Sequence, residues 1–225
     1  MDTREYPCGE WIQPAVGKYQ AWIEIPGYVS GTPTIVRYGG GPFRGSGSRV
    51  VIPVVPAGTL RLDLANSAVA GATTFRVLSL RESPRPFERQ LDMSVAAAGV
   101  SVPTGRVLAG AFNASGEAIA LSQPFEVKNR KVMIVALRPP ANGADVLAVL
   151  TKPRLQSHSS SGSGTVVLRT RIHHKPDVIL DTPTKLFAIW YGVRATRADL
   201  LIDDAALPIR TLALSNGRVA TVRLA

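Results

Sequence analysis

Hydrophobic and polar residues alternate along several short stretches of the chain. In 59–64, Leu60, Leu62 and Leu64 share one face, while Arg61 and Asp63 lie on the other. The same alternation occurs in 165–174 and again in 218–224. Because successive side chains of a strand point to opposite faces, this pattern predicts half-buried antiparallel strands.

Three other runs, 50–55, 132–137 and 146–150, are apolar on both faces. Runs of this length favour strands that are buried on both sides, in the middle of a sandwich or at a junction between modules. Turn-forming pairs separate the strands: Ala57–Gly58, Ser115–Gly116, Asn142–Gly143 and Asn216–Gly217. The spacing of strands and turns predicts an all-β fold.

Two segments also have a helical pattern. Gln90–Ala98 carries an alanine run that predicts one or two helical turns. Arg194–Leu207 fits helical spacing and a strand-turn-strand unit equally well, and we favour the strands.

Two polar segments divide the chain as linkers would. Arg81–Pro86 is charged and bears prolines, and Ser157–Gly164 has no apolar residue. A weak apolar pattern also repeats at about 80 to 90 residues, a length that suits a seven-strand sandwich. We therefore predict tandem antiparallel β-sandwich modules, Ig-like or transthyretin-like, two to three in series. The predicted division is 1–82 with aromatic-rich N-terminal strands, 83–156, and 157–225 after the Ser/Gly-rich linker.

The chain is basic, with a formal net charge of +10 and a sequence pI near 10.4. Such a charge suits anionic glycans, lipids or nucleic acid. The basic residues are scattered along the strands, however, and form no run of the kind that marks a nucleic-acid arm. We accordingly treat nucleic acid as an unlikely partner and scattered arginines on outward strand faces as the simpler interpretation.

Motifs for metal binding and catalysis are weak. The single cysteine, Cys8, excludes an intrachain disulfide and a cysteine metal cage. His173 and His174 would point to opposite faces of a strand, so they cannot chelate one ion together. The pair Asp203–Asp204 fits a hairpin turn. We expect no catalytic residue, no metal and no cofactor, and we predict that the chain is not an enzyme.

Aromatic residues concentrate in the first fifth of the chain and define the candidate binding site. On a strand over 18–25, Trp22 would lie between Gln20 and Glu24 on the polar face, where a ring can stack on a sugar or a partner side chain. The alternative is that Trp22 packs against a neighbouring segment. The glycine-rich stretch 39–47 fits a loop between strands better than a phosphate cradle, since no helix follows it. The candidate ligand-binding residues are Trp22, Tyr28, Arg37, Tyr38 and Arg44.

Two short segments resemble a known type of module. Pro53–Leu62, with its Pro-Ala-Gly sequence, is similar to an element of carboxypeptidase regulatory-like and PEGA-type β-sandwich modules. Gly105–Phe125, with the turn residues Asn113–Glu117, resembles the opening hairpin of the same modules. The resemblance implies a non-catalytic accessory or spacer role in bacterial cell-envelope or secreted proteins, and it carries over no functional residues.

These observations lead to one functional hypothesis and two alternatives. We expect a non-catalytic binding or spacer protein of the bacterial cell envelope, with a protein partner or a cell-surface glycan. The first alternative is a structural subunit of an appendage or capsid-like assembly that uses strand-edge pairing. The second is a binder of anionic glycan or nucleic acid.

No stretch approaches about 20 continuous apolar residues, so no transmembrane helix is predicted. We expect a periplasmic or extracellular location, with the leader absent from this sequence.

Overall fold

The computed structural model describes residues 17–21, 23–30, 34–38, 52–80, 88–153, 164–182, 184–203, 205 and 207–224, with only the backbone at 17–20 and 34–38. The regular structure of these residues consists of strands, the short helix α1 (Met93–Ala98) and two helical residues at 152–153. The strands are β1 (Gly17–Ala21), β2 (Glu24–Ile25), β3 (Tyr28–Ser30), β4 (Thr34–Tyr38), β5 (Val54–Leu62), β6 (Thr74–Ser79), β7 (Glu88–Asp92), β8 (Val100–Pro103), β9 (Gly105–Phe112), β10 (Ala118–Leu121), β11 (Phe125–Val127), β12 (Val132–Val135), β13 (Ala144–Thr151), β14 (Val166–Arg169), β15 (His173–His174), β16 (Val178–Asp181), β17 (Lys185–Val193), β18 (Arg197–Ile202), β19 (Arg210–Ala213) and β20 (Val219–Leu224).

The first sandwich is built from β2, β3 and β5 to β12. In one sheet β5 is central: β12 runs parallel to it, β3 and β8 each pair antiparallel with it, and β2 lies beyond β3. The facing sheet has the order β7-β6-β9, and both β10 and β11 pair with β9. Leu60, Phe75 and Val107 are fully buried between the two sheets and form part of the core. β1 and β4 form a separate two-stranded sheet.

The second sandwich repeats this arrangement with β13 to β20. Here β13 is central, with β20 parallel along one edge and β17 antiparallel along the other, and β16 lies beyond β17. The facing sheet has the order β15-β14-β18-β19. Trp190, Leu168 and Leu200 are buried in its core. The central strands β5 and β13 begin about 90 residues apart, so the chain contains a structural repeat.

The prediction of an all-β chain built from tandem antiparallel β-sandwich modules is confirmed. Each module adds one parallel pair, β5 with β12 in the first and β13 with β20 in the second. The Ig constant-type arrangement sets strands ABED against CFG. In these sandwiches the sheet with the parallel pair faces a sheet of five strands in the first module and of four strands in the second, so they do not follow that arrangement.

The two predicted linkers, Arg81–Pro86 and Ser157–Gly164, lie outside the described residues apart from Gly164. β6, before the first of them, pairs with β7 and β9 after it. β13, before the second, pairs with β17 and β20 after it. The sheets thus group the strands differently from the predicted division into 1–82, 83–156 and 157–225. The connection between the two sandwiches is 136–143, which contains Pro139 and Pro140.

The two sandwiches pack face to face, so that four sheets form successive layers. We call this contact the seam. Tyr191 Oη donates a hydrogen bond across it to the Ser122 carbonyl at 2.7 Å, and Ala118 N–H donates to Thr221 Oγ1 at 2.9 Å. The seam buries apolar side chains of both modules: Leu78, Leu108, Phe112, Ala118 and Leu121 on the first, and Leu147, Val178, Leu180, Phe187 and Ile189 on the second.

Local predictions had different outcomes. The helical turns predicted within 90–98 appear as α1, whereas 90–92 belong to β7. Of the two strands favoured over 194–207, one appears as β18, and the next strand, β19, begins beyond that segment at Arg210. The predicted turn at Ala57–Gly58 is wrong, because both residues lie inside β5. Gly58 instead allows neighbouring chain segments to approach β5 closely. A Cβ on Gly58 would lie 2.8 Å from Val127 Cγ1 and 3.0 Å from the Lys131 carbonyl.

Candidate functional site

Among the predicted binding residues, only Tyr28 has a described side chain. It begins β3, is half-buried, and pairs with Pro56 of β5. Arg37 and Tyr38 are placed by their backbone alone, at the end of β4 opposite Lys18 and Gly17. Trp22 and Arg44 lie outside the described residues. The binding role of these five residues therefore stays a prediction.

The β2–β3 hairpin that carries Tyr28 is tied to the first sandwich by an ionic contact. The Glu24 carboxylate accepts from Arg89 Nη1 at 3.1 Å and from Ser101 N–H at 3.2 Å. Burial raises the pKa of Glu24, but the hydrogen bond from Ser101 and the positive charge of Arg89 outweigh it, so the pKa lies below its ordinary value. Tyr28 is thus held beside β5 by contacts that reach β7 and β8.

A different surface of the first sandwich, the edge of β12, carries exposed apolar side chains. β12 is the last strand of its sheet. Its side chains alternate: Val135 is buried and Met133 half-buried against the core, whereas Val132 is 62% exposed and Ile134 is 65% exposed. A single exposed apolar residue is ordinary, but two on one short edge strand form a patch that a partner can cover.

The peptide groups of β12 also alternate in direction, as its side chains do. The carbonyls of Lys131, Val135 and Leu137 accept hydrogen bonds from Thr59, Asp63 and Ala68, so the odd-numbered peptide groups face β5 and the segment that follows it. Peptide groups alternate in direction along a strand. Those of Val132 and Ile134 consequently point away from β5, and within the described residues no strand lies on that side.

Local geometry fixes this edge. The turn between β11 and β12 crosses over Gly58, where only a hydrogen side chain leaves room for the Lys128 carbonyl and Val127. Arg130 adopts a φ of 56°, and its N–H donates to the Ala57 carbonyl at 2.9 Å. These contacts set where β12 starts along β5, with Val132 opposite Thr59.

Basic residues flank the exposed edge. Lys128, Arg130 and Lys131 precede β12, Arg138 follows it, and all four are exposed. Within the described residues none of them is in an ion pair. The edge of β12 is therefore apolar in the middle and positively charged at both ends.

A second positively charged feature lies at the rim of the seam. The Arg76 guanidinium stacks over the Phe112 ring, 4.5 Å from its centroid, and its buried Nε has no hydrogen-bond partner in the described structure. Burial and the nearby charge of Arg223 lower the pKa of Arg76. Arg223 in turn donates to the Gly116 carbonyl across the seam. The surrounding apolar side chains belong to the seam, so this cleft is part of the contact between modules.

His174 and Asp203 make contacts that hold the fold together. Within the described part of the chain, no group of three or more His, Cys, Asp or Glu side chains is placed to hold a metal. His174 Nε2 lies 2.9 Å from Thr170 Oγ1, and its carbonyl accepts from Trp190 Nε1 at 2.9 Å. Asp203 has a φ of 54° in the turn after β18, and its carboxylate accepts from Thr165 N–H at 2.7 Å, which agrees with the predicted turn role.

The sequence did not predict that Val132 and Ile134 are exposed. The apolar run 132–137 predicts a strand buried on both faces, and this is wrong because β12 lies at a sheet edge. The cations on both sides of the run were the available signal, since charged residues commonly flank and protect an exposed hydrophobic strand.

Comparisons with known proteins identify no family. No family model matches the chain, and no curated protein matches it. Among solved structures, a leucine-rich repeat protein from Bacteroides thetaiotaomicron is similar at a TM-score of 0.32 and 9% identity, over 75% of this chain and 26% of that one. A candidate adhesin from Bacteroides ovatus has a TM-score of 0.28 and 11% identity, over 76% of each chain. The minor pilin of Streptococcus agalactiae has a TM-score of 0.23 and 11% identity, over 75% of this chain and 94% of that one.

This chain thus spans about a quarter of the leucine-rich repeat protein. Likeness at these scores assigns neither a family nor a function. The resemblance of Pro53–Leu62 and Gly105–Phe125 to carboxypeptidase regulatory-like and PEGA-type modules stays a prediction. None of the helices in the described ranges has the length and apolar character needed to cross a bilayer.

Proposed function

We propose that the chain is a non-catalytic binding protein of the bacterial cell envelope, whose partner is another protein. The observation that carries the proposal is the edge of β12, where the exposed side chains of Val132 and Ile134 coincide with outward peptide groups. An exposed sheet edge is a common site for protein recognition, because main-chain hydrogen bonds add affinity and alternate side chains add specificity.

The stacked architecture supports this role. The seam joins two sandwiches through a buried apolar contact, so the edge of β12 is carried by a rigid body. A rigid support reduces the conformational entropy that binding would otherwise cost. This favours a binding protein over a flexible spacer.

The test is capture of envelope proteins by the immobilised chain. Wild-type protein and an Ile134→Lys variant are each incubated with a solubilised envelope fraction of the source bacterium, and retained proteins are identified by mass spectrometry. We expect wild type to retain a defined protein and Ile134→Lys to lose it, because a charge on an edge strand opposes pairing. Equal retention by both, or retention by neither, would contradict the proposal. A matched variant, Ile179→Lys, changes an isoleucine that is 54% exposed in the second sandwich and should bind as wild type does.

A further inference from the structure

We infer that the edge of β12 binds an extended segment that has apolar residues at every second position and acidic residues at its ends. This inference rests on the proposed function and specifies the chemistry of the partner. The segment would add one strand to the first sandwich beside Val132–Val135.

The hydrogen bonds available for such a strand are defined by the alternation in β12. The carbonyls of the odd-numbered residues Lys131, Val135 and Leu137 already accept hydrogen bonds from β5 and the segment that follows it. The peptide groups of Val132, Ile134 and Ala136 therefore remain for an added strand, which would pair with every second residue.

The side chains of the same residues define the apolar part of the ligand. Val132, Ile134 and Ala136 are all exposed, and they lie on the outward face of the sheet because Met133 and Val135 face the core. An added strand places every second side chain on that face, beside Val132 and Ile134. Apolar residues at those positions would remove the exposed patch from water.

The flanking charges define the ends of the ligand. Lys128, Arg130 and Lys131 lie at one end of β12 and Arg138 at the other, all exposed. A segment with acidic ends would meet positive charge at both ends, which favours association and fixes the register.

The same charges argue against a second copy of this chain as the occupant. In a twofold antiparallel pairing centred on Ile134, Arg130 of one copy would face Arg138 of the other. Like charges directly opposite each other in a sheet are destabilising. The partner is therefore a different, acidic segment.

The experiment uses a synthetic peptide, Asp-Asp-Val-Thr-Val-Thr-Val-Asp-Asp, with a control peptide in which lysine replaces each aspartate. Binding to the full chain is measured by calorimetry, and amide exchange is followed residue by residue by NMR. We expect the acidic peptide to bind, to weaken as salt rises, and to slow exchange at Val132, Ile134 and Ala136 only, since the odd-numbered amides are already bonded to β5.

Two variants separate backbone pairing from charge. Ile134→Pro removes the outward N–H without breaking the β5 ladder, as proline is tolerated on an edge strand when its nitrogen faces solvent. It should lower the affinity about tenfold, which corresponds to the loss of one hydrogen bond worth about 1.4 kcal/mol. A Lys131→Glu, Arg138→Glu double variant should prefer the lysine peptide, whereas Arg210→Glu on β19 of the second sandwich should bind as wild type does.

Several outcomes would overturn the inference. These are equal affinity for both peptides, slowed exchange at odd-numbered amides, slow exchange at Ile134 in the free protein, and self-association of wild type that Ile134→Pro abolishes. If the peptide fails to bind but envelope capture still depends on Ile134, the partner chemistry is wrong and the proposed function stands. If neither depends on Ile134, both are wrong.

Discussion

Asp145 shows how a single buried charge sets a pH dependence. Its side chain is 6% exposed, and Oδ1 accepts a hydrogen bond from Gly192 N–H at 2.9 Å. Burial raises the pKa of Asp145, the Gly192 hydrogen bond lowers it, and nearby Asp177 raises it again, so the pKa lies above its ordinary value. The charged form is therefore disfavoured in the folded protein.

We expect Asp145→Asn to be at least as stable as wild type at pH 7. The raised pKa means that Asp145 favours folding most below its unfolded value of about 3.9, and that this contribution is lost as the pH rises through the folded value. Asparagine keeps an oxygen acceptor for Gly192 without the charge. The stability difference should shrink as the pH falls from 7 towards about 4, measured by urea unfolding.

The control for this measurement is Asp92→Asn, at an exposed aspartate beside α1 whose side chain caps no helix N–H. It replaces an exposed carboxylate and should not reproduce the effect of Asp145→Asn. If Asp145→Asn were less stable than wild type at pH 7 by more than about 1 kcal/mol, the charge would be favourable and the argument would fail.

At the scale of elements, the turn between β11 and β12 crosses over β5 at Gly58, and this contact positions the edge of β12. We expect Gly58→Ala to cost about 1 to 3 kcal/mol, because the added methyl group would meet the Lys128 and Lys131 carbonyls and Val127, which belong to the turn and strand above it. Chemical denaturation measures the loss. Amide exchange at 128–131 should also become faster, since the turn must move.

Gly71→Ala is the comparison. Gly71 has a φ of 81° with open space around it, so alanine there costs about 1 kcal/mol of backbone strain and should leave exchange at 128–131 unchanged. Unchanged exchange at 128–131 in Gly58→Ala would mean that the close approach does not hold the edge.

β12 and β13 show how far the sequence predicts this fold. Both are apolar on both faces, and the sequence predicts that both are buried. For β13 this is correct, since one face lies in the second core and the other in the seam. For β12 it is wrong, because its position at a sheet edge depends on pairing with β5, some 70 residues earlier in the chain. Alternation predicts strands well, but it does not determine which strand lies at an edge.

The candidate site was harder to predict for the same reason. Aromatic clustering predicted a site around Tyr28. The exposed apolar pair, Val132 and Ile134, can be recognised only from the sheet order, in which β12 pairs with β5 alone among the described strands.

The sequence also predicted modules joined by polar linkers. The seam uses outward apolar residues such as Leu78 and Leu108, and in isolation these resemble ordinary core positions.

At the scale of the whole molecule, the seam makes two sandwiches into one four-layer body. It buries ten apolar residues of the two modules and adds the Tyr191 to Ser122 hydrogen bond. A contact of this kind resembles the core of a domain more than a loose interface between independent domains. Because each module is stabilised by the other, we expect a single cooperative unfolding transition, in which the calorimetric and van't Hoff enthalpies agree.

Leu108→Asp is the variant that separates the modules. Leu108 is 2% exposed within the seam, so the aspartate would place an unpaired carboxylate between two apolar faces at a cost of several kcal/mol. The seam can open to hydrate this charge while both cores persist, and calorimetry should then resolve two transitions at lower temperatures. Leu207→Asp makes the same change at a residue that is 80% exposed, and it should keep the single transition. One transition at an unchanged midpoint in Leu108→Asp would mean that the sandwiches do not depend on the seam, and the rigid support that we infer for the β12 edge would be lost with it.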